Sequence, residues 1–163
     1  MADDNTQIRL ITFRVGPETF VLDIMILRQI IAYGGSTPVP KAPDFVEGII
    51  VLRNEVVPLI DLRGRFFPGS TAAEEEYPLV LITESPAGLI GLKVDEVRRI
   101  VTIGLHEILP APKIVKGMHG DFFLGVVRSD DEVFMLVDID SLLTTEEQNY
   151  LQDAVMVGAR KKS

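Results

Sequence analysis

The segment Phe45-Val-Glu-Gly-Ile-Ile-Val-Leu-Arg-Asn-Glu-Val-Val-Pro-Leu-Ile-Asp61 recurs without a gap as Phe122-Phe-Leu-Gly-Val-Val-Arg-Ser-Asp-Asp-Glu-Val-Phe-Met-Leu-Val-Asp138. Phe45/Phe122, Gly48/Gly125, Glu55/Glu132, Val56/Val133, Leu59/Leu136 and Asp61/Asp138 are identical pairs. Upstream, Pro38-Val-Pro-Lys41 matches Pro110-Ala-Pro-Lys113, and Leu27-Arg-Gln-Ile-Ile31 matches Val97-Arg-Arg-Ile-Val101. The matches keep their order, and the offset grows only across loops, as a duplicated unit with loop insertions requires. The fold must therefore be one that a short unit builds twice and packs against itself.

Each unit is rich in short apolar runs of Val, Ile and Leu bounded by Gly, Pro, Asn, Asp and Ser. This predicts strands over Ile8–Val15, Thr19–Asp23, Leu27–Tyr33, Ile49–Arg53, Val56–Asp61, Leu79–Glu84, Leu89–Val94, Val97–Ile103, Leu124–Arg128 and Glu132–Asp138. Turns are expected at Asn54-Glu55, Pro86 to Gly88 and Ser129-Asp130-Asp131. Tyr33–Pro43 and Gly64–Pro78 read as loops. Many runs are continuously apolar rather than alternating, which implies burial on both faces. Five short antiparallel strands commonly close into a small barrel to protect their edges. Two such barrels, packed through strands apolar on both faces, would share a core. The expected division is 19–78 for one and 79–143 plus the strand 8–15 for the other.

One helix is expected, over 145–158. Thr144 and Glu147 form a capping box, and Tyr150, Leu151, Ala154 and Val155 form an apolar stripe. Gly158 is expected to end it, leaving 159–163 as a frayed tail.

Chemistry-bearing patterns are sparse. The chain has no cysteine and only two histidines, His106 and His119, neither with the companions of a metal or nucleophile site. Phosphate-binding glycine loops are missing. Glu74-Glu75-Glu76 and Asp130-Asp131-Glu132 read as solvated loop charge. No cofactor, metal or catalytic activity is expected. A net charge of −8 repels phosphate backbones, so nucleic acid is not an expected partner. The polar, acidic start is unlike a signal peptide, and no apolar run approaches the roughly 20 residues of a membrane span. A cytoplasmic location without direct membrane insertion follows as an expectation.

From Phe45 to Arg63 the sequence resembles the CheW family of chemotaxis coupling proteins, whose pattern runs Phe, Gly three residues on, Asn-Leu-Arg-Gly, Pro and Asp-Leu-Arg. The resemblance covers about 7–147. It takes in Val21–Ile30, the Pro-rich connection Pro38–Pro43 and Leu136–Leu143. It implies an all-β fold of two intertwined five-stranded SH3-like barrels sharing a core, with short helical turns and a C-terminal helix. The implied function is a non-enzymatic adaptor in chemotaxis or a chemotaxis-like pathway. It would couple methyl-accepting chemoreceptor cytoplasmic tips to the regulatory domain of a CheA-type histidine kinase, within arrays at the inner membrane. A double-barrel module for small molecules or other proteins is the alternative.

The expected partner-binding residues are Ile24, Leu27, Gln29, Val46, Gly48, Arg53 and Asn54. Ile24, Leu27 and Val46 are expected to line an apolar groove between the barrels. Arg53 and Gly48 are expected to serve recognition rather than stability. Two positions depart from the family pattern. Asn54 stands where Gly is usual, and Gln29 stands where Glu would pair with the motif arginine. Asparagine tolerates the left-handed turn conformation. Gln29 leaves a neutral hydrogen bond to Arg53 as the expected link.

Overall fold

The computed structural model describes residues 6–70 and 76–162. Its strands are β1 Gln7–Val15, β2 Glu18–Asp23, β3 Leu27–Ala32, β4 Val46–Leu52, β5 Glu55–Asp61, β6 Leu79–Ser85, β7 Gly88–Val94 and β8 Glu96–Gly104. There follow β9 Ile108–Leu109, β10 Ile114–Val115, β11 Met118–His119, β12 Phe123–Ser129 and β13 Glu132–Val137. Helix α1 spans Leu62–Phe66 and α2 spans Thr145–Lys162.

The strands form two principal sheets. One has the order β3-β6-β7-β5-β4 and the other β8-β1-β2-β13-β12-β9. The first five strands of each order correspond one for one through the sequence repeat, with β3 matching β8, β5 matching β13 and β4 matching β12. In chain order the two copies are β1–β5 and β6 through β13. The hairpin β1–β2 of the first copy pairs with β8 and β13 of the second. The hairpin β6–β7 of the second copy pairs with β3 and β5 of the first. Each copy thus donates its opening hairpin to the barrel that the other completes.

This exchange corrects the division at 19–78 and 79–143. Barrel A comprises β3–β7, and barrel B is built from both ends of the described chain. The two hairpins carry the same apolar patterning, so the pattern does not distinguish which copy each will join. Several boundaries also shift. Strand β4 begins at Val46 rather than Ile49, and α1 occupies the start of the segment read as a loop from Gly64. An Asp61 carboxylate oxygen caps α1 by accepting from the Arg63 amide at 3.1 Å. Helix α2 runs past Gly158 to Lys162. A glycine costs only about 1 kcal/mol in a helix interior and does not by itself stop one. Glu74 and Glu75 lie outside the described residues.

Three apolar clusters explain the strands that are apolar on both faces. Val57, Leu59, Val80 and Ile82 fill barrel A. Leu10, Val21, Val101, Ile103, Val127, Phe134 and Leu136 fill barrel B. Between them lies a shared core that includes Phe13, Phe20, Ile60, Phe66, Leu81, Leu92, Phe123 and Met135. Alternate residues of one strand divide between these clusters. Val80 and Ile82 point into barrel A while Leu81 enters the shared core. At its centre the Phe66 ring lies 4.8 Å from Phe20 and 5.4 Å from Phe123. Both barrels therefore fold around one interior, with the period of two that strands impose.

Candidate partner-binding site

The β4–β5 connection is a two-residue turn. Leu52 faces Glu55, and Arg53 and Asn54 both have positive φ, 50° and 68°. That is the type I′ geometry whose twist matches a hairpin. The turn is therefore centred on Arg53-Asn54, one residue earlier than expected from Asn54-Glu55. Asp130-Asp131, at φ 48° and 66°, make the equivalent turn in barrel B. Arg53 is exposed and has no hydrogen bond or ion pair among the described residues. It lines a surface pocket of 380 Å³ with Arg28, Gln29, Leu52 and Glu84. The expected Gln29–Arg53 link is not formed, although one pocket brings the two residues together. Arg28 instead pairs with Glu84 on that rim.

Gly48 is buried in β4, just past a bulge between Val46 and Gly48. Its φ is +152°, and a Cβ there would come within 2.5 Å of the Thr37 carbonyl oxygen. Close backbone approach is the reason for the glycine. Gly48 thereby shapes the strand that carries the turn. Leu27 and Val46 are half-buried and pack against the shared core, while Ile24 is half-buried in a 3-10 turn. The structure brings Gln29, Arg53 and Asn54 to one end of barrel A and sends Leu27 and Val46 inward.

Beside β4 lies a polar cluster that the motif did not reveal. Lys93 of β7 is only 6% exposed, and its ammonium donates to Glu47 Oε1 at 3.0 Å. The same nitrogen lies 4.4 Å from the Tyr33 ring centroid. The Tyr33 hydroxyl donates to Glu47 Oε2 at 2.8 Å, and the Ser36 hydroxyl donates to the Glu47 carbonyl at 3.2 Å. Asp61 sits opposite Lys93 in the parallel β5–β7 register. Burial raises the Asp61 pKa above the ordinary carboxylate value, against the attraction of Lys93. A charge so placed is tolerated because each member has a partner.

The duplicated positions in barrel B carry different chemistry. Leu124 stands where barrel A has Glu47, and Leu109 where it has Thr37. They are 59% and 58% exposed. Leu109 pairs with Val126, which lies on the same outward face of β12 as Leu124. Together they are candidate contact residues beside the β9 edge. These residues were absent from the expected set. The mismatch Glu47/Leu124 within an otherwise close repeat was the signal that could have found them. Among the described residues no group of three His, Asp or Glu side chains is placed to hold a metal ion.

A family model described as CheW-like domain matches residues 9–147. The chain belongs to the CheW-like domain family. It is 30% identical over 153 residues to a chemotaxis protein CheW of Treponema pallidum (strain Nichols), covering 90% of this chain and 88% of that one. It is 35% identical over 140 residues to a chemotaxis protein CheW of Rhizobium meliloti (strain 1021), covering 85% and 89%. Among solved structures, the scaffolding protein TtCheW from Thermoanaerobacter tengcongensis superposes with a TM-score of 0.80 at 27% identity, covering 87% of this chain and 96% of that one. The CheW architecture of two SH3-like barrels agrees with the two sheets and shared core described above. The matched range takes in both copies of the repeat. No described helix is long and apolar enough to cross a membrane.

Proposed function

We propose that the chain is a non-enzymatic adaptor that couples chemoreceptor cytoplasmic tips to a CheA-type histidine kinase. An adaptor needs two faces, and the broken symmetry of the repeat supports such a reading. Barrel A ends in an exposed arginine, without a partner among the described residues, on a two-residue turn. Barrel B exposes Leu109 and Leu124 where barrel A carries polar side chains. Arginine is enriched among interface hot spots, and an apolar patch contributes by excluding water. Receptor tips are expected to be helical hairpins, which dock by laying apolar anchors against such surfaces. The net charge of −8 steers encounter with basic partner patches rather than setting affinity. The observation that carries the proposal is the asymmetry between Glu47 and Leu124 at equivalent places in two barrels.

The decisive experiment is capture of the tagged protein from native cells, followed by identification of what accompanies it. Co-capture of a CheA-type kinase and a chemoreceptor is the expected result. Recovery of neither, from cells that express both, overturns the adaptor reading.

A further inference from the structure

The Pro-rich connection between β3 and β4 borders the strand that carries Gly48 and leads to Arg53. Pro38, Pro40 and Pro43 lack an N–H, so this stretch cannot join a ladder along its length. Thr37 is fixed by exchange with Ile49, at 2.9 and 2.8 Å, and the Ala42 amide donates to the Val39 carbonyl at 3.2 Å. Between these points the Pro40 carbonyl accepts from the Tyr150 hydroxyl of α2 at 2.5 Å. Tyr150 also packs against the shared core.

The same helix grips the far end of the connection. Glu147 accepts from both terminal nitrogens of Arg65, at 2.9 and 3.3 Å, and the Arg65 guanidinium lies 4.1 Å from the Phe45 ring centroid. Arg65 Nε donates to the Leu142 carbonyl at 2.8 Å. Phe45 directly precedes β4. In barrel B the equivalent connection is held differently, by the Gly120 amide donating to the Lys113 carbonyl at 2.6 Å. Attachment to the C-terminal helix is therefore a property of the barrel A connection, not a general requirement of the repeat.

We infer that Tyr150 is a positioning residue for the barrel A partner surface, acting by holding the 37–43 connection against β4. The inference rests on the adaptor reading for its effect on binding, but not for its effect on the connection itself. Tyr150→Phe keeps the ring in its apolar contacts and deletes only the hydroxyl. One such hydrogen bond is worth about a fivefold change in a local equilibrium.

The test combines two measurements on full-length protein, each made also on Arg53→Ala. Amide exchange at Thr37 and Ala42 should accelerate about fivefold in Tyr150→Phe and stay unchanged in Arg53→Ala. Affinity for a chemoreceptor cytoplasmic fragment should weaken in both variants, with a normal thermal midpoint for Arg53→Ala and a fall of no more than about 3 °C for Tyr150→Phe. Unchanged exchange in Tyr150→Phe overturns the inference whatever the partner does. Faster exchange with unchanged affinity, while Arg53→Ala loses affinity, overturns the positioning role. If faster exchange in Tyr150→Phe is accompanied by unaltered binding in both variants, the adaptor reading of this surface is what fails.

Discussion

Gly48 and Gly125 stand in the same relation to their surroundings, each beside a bulge and each leaving room for only a hydrogen where a carbonyl oxygen approaches. An added Cβ would come within 2.5 Å of the Thr37 oxygen in barrel A and within 2.5 Å of the Leu109 oxygen in barrel B. Neither oxygen can yield without moving its own paired strand or bridge. Gly48→Ala and Gly125→Ala should therefore each destabilise the protein by about 2 kcal/mol, through the clash at both positions and, at Gly48 alone, also through its positive φ. Urea titrations of the two variants measure this. A neutral result at either position means that the close approach relaxes without penalty.

Arg53 occupies a left-handed conformation that side chains other than Gly, Asn and Asp disfavour. A residue kept there against its propensity points to a use beyond folding. Arg53→Gly should gain about 0.5 kcal/mol or more of stability. The same variant should lose partner affinity by roughly thirtyfold, as truncation of an interface arginine commonly does. Stability and affinity moving in opposite directions is the signature to look for in paired melting and binding curves.

Leu124→Glu places in barrel B the residue that barrel A has at Glu47. With 59% of Leu124 already exposed, folding should change by no more than about 0.5 kcal/mol. Capture of one partner should fall while the other, held through the Arg53 end, persists. Loss of both partners, or of neither, in the pull-down contradicts a division of labour between the barrels.

Lys93→Met leaves Glu47 half-buried without its cation and removes the contact over Tyr33. Deleting one member of a buried pair commonly costs 3–5 kcal/mol, and the partial exposure of Glu47 reduces this to about 2 kcal/mol. Thermal denaturation of the variant checks it, with Lys93→Met plus Glu47→Leu expected to recover much of the loss.

Asp61 gives the protein a definite pH response. Its folded pKa lies above the unfolded value because burial disfavours the charged form. The native state thus binds more protons than the unfolded chain in the window above the ordinary carboxylate pKa. Its contribution to stability declines as pH rises through that window. Asp61→Asn keeps an oxygen to cap α1 and removes the titration. The variant should therefore show a smaller decline between pH 4 and pH 7 by chemical denaturation, in roughly the range where carboxylates titrate.

The duplicated unit, the barrel class and the turn residues were legible because each depends on local rules: identical pairs, apolar runs and residues that tolerate positive φ. Gln29 and Arg53 were likewise brought to one place by their strands. What escaped depends on contacts across the molecule. The pairing of β1 with β8 rather than β3 leaves no trace in either strand's own pattern. Lys93 reads as one lysine in an apolar run until Glu47 and Tyr33 are set beside it. Which atom crowds Gly48, the Thr37 oxygen that would lie 2.5 Å from an added Cβ, is set by a segment eleven residues upstream. The short helix α1 is only Leu62–Phe66, too brief for any helical period to emerge.

The exchanged hairpins carry a consequence for how the molecule comes into being. A ribosome that has released β1 through β5 holds strands for two unfinished barrels and can close neither. The β1–β2 hairpin must wait, apolar and with both outer edges open, for β8 and β13 to be synthesised. Long-range pairing of this kind folds slowly and exposes sticky intermediates on the way. The arrangement also forbids division: a chain cut between β5 and β6 yields two fragments, each holding the other's missing hairpin. Such fragments should be insoluble alone and should reassemble when mixed, so that the two copies, though joined end to end, hold each other as the subunits of a hairpin-exchanged dimer would.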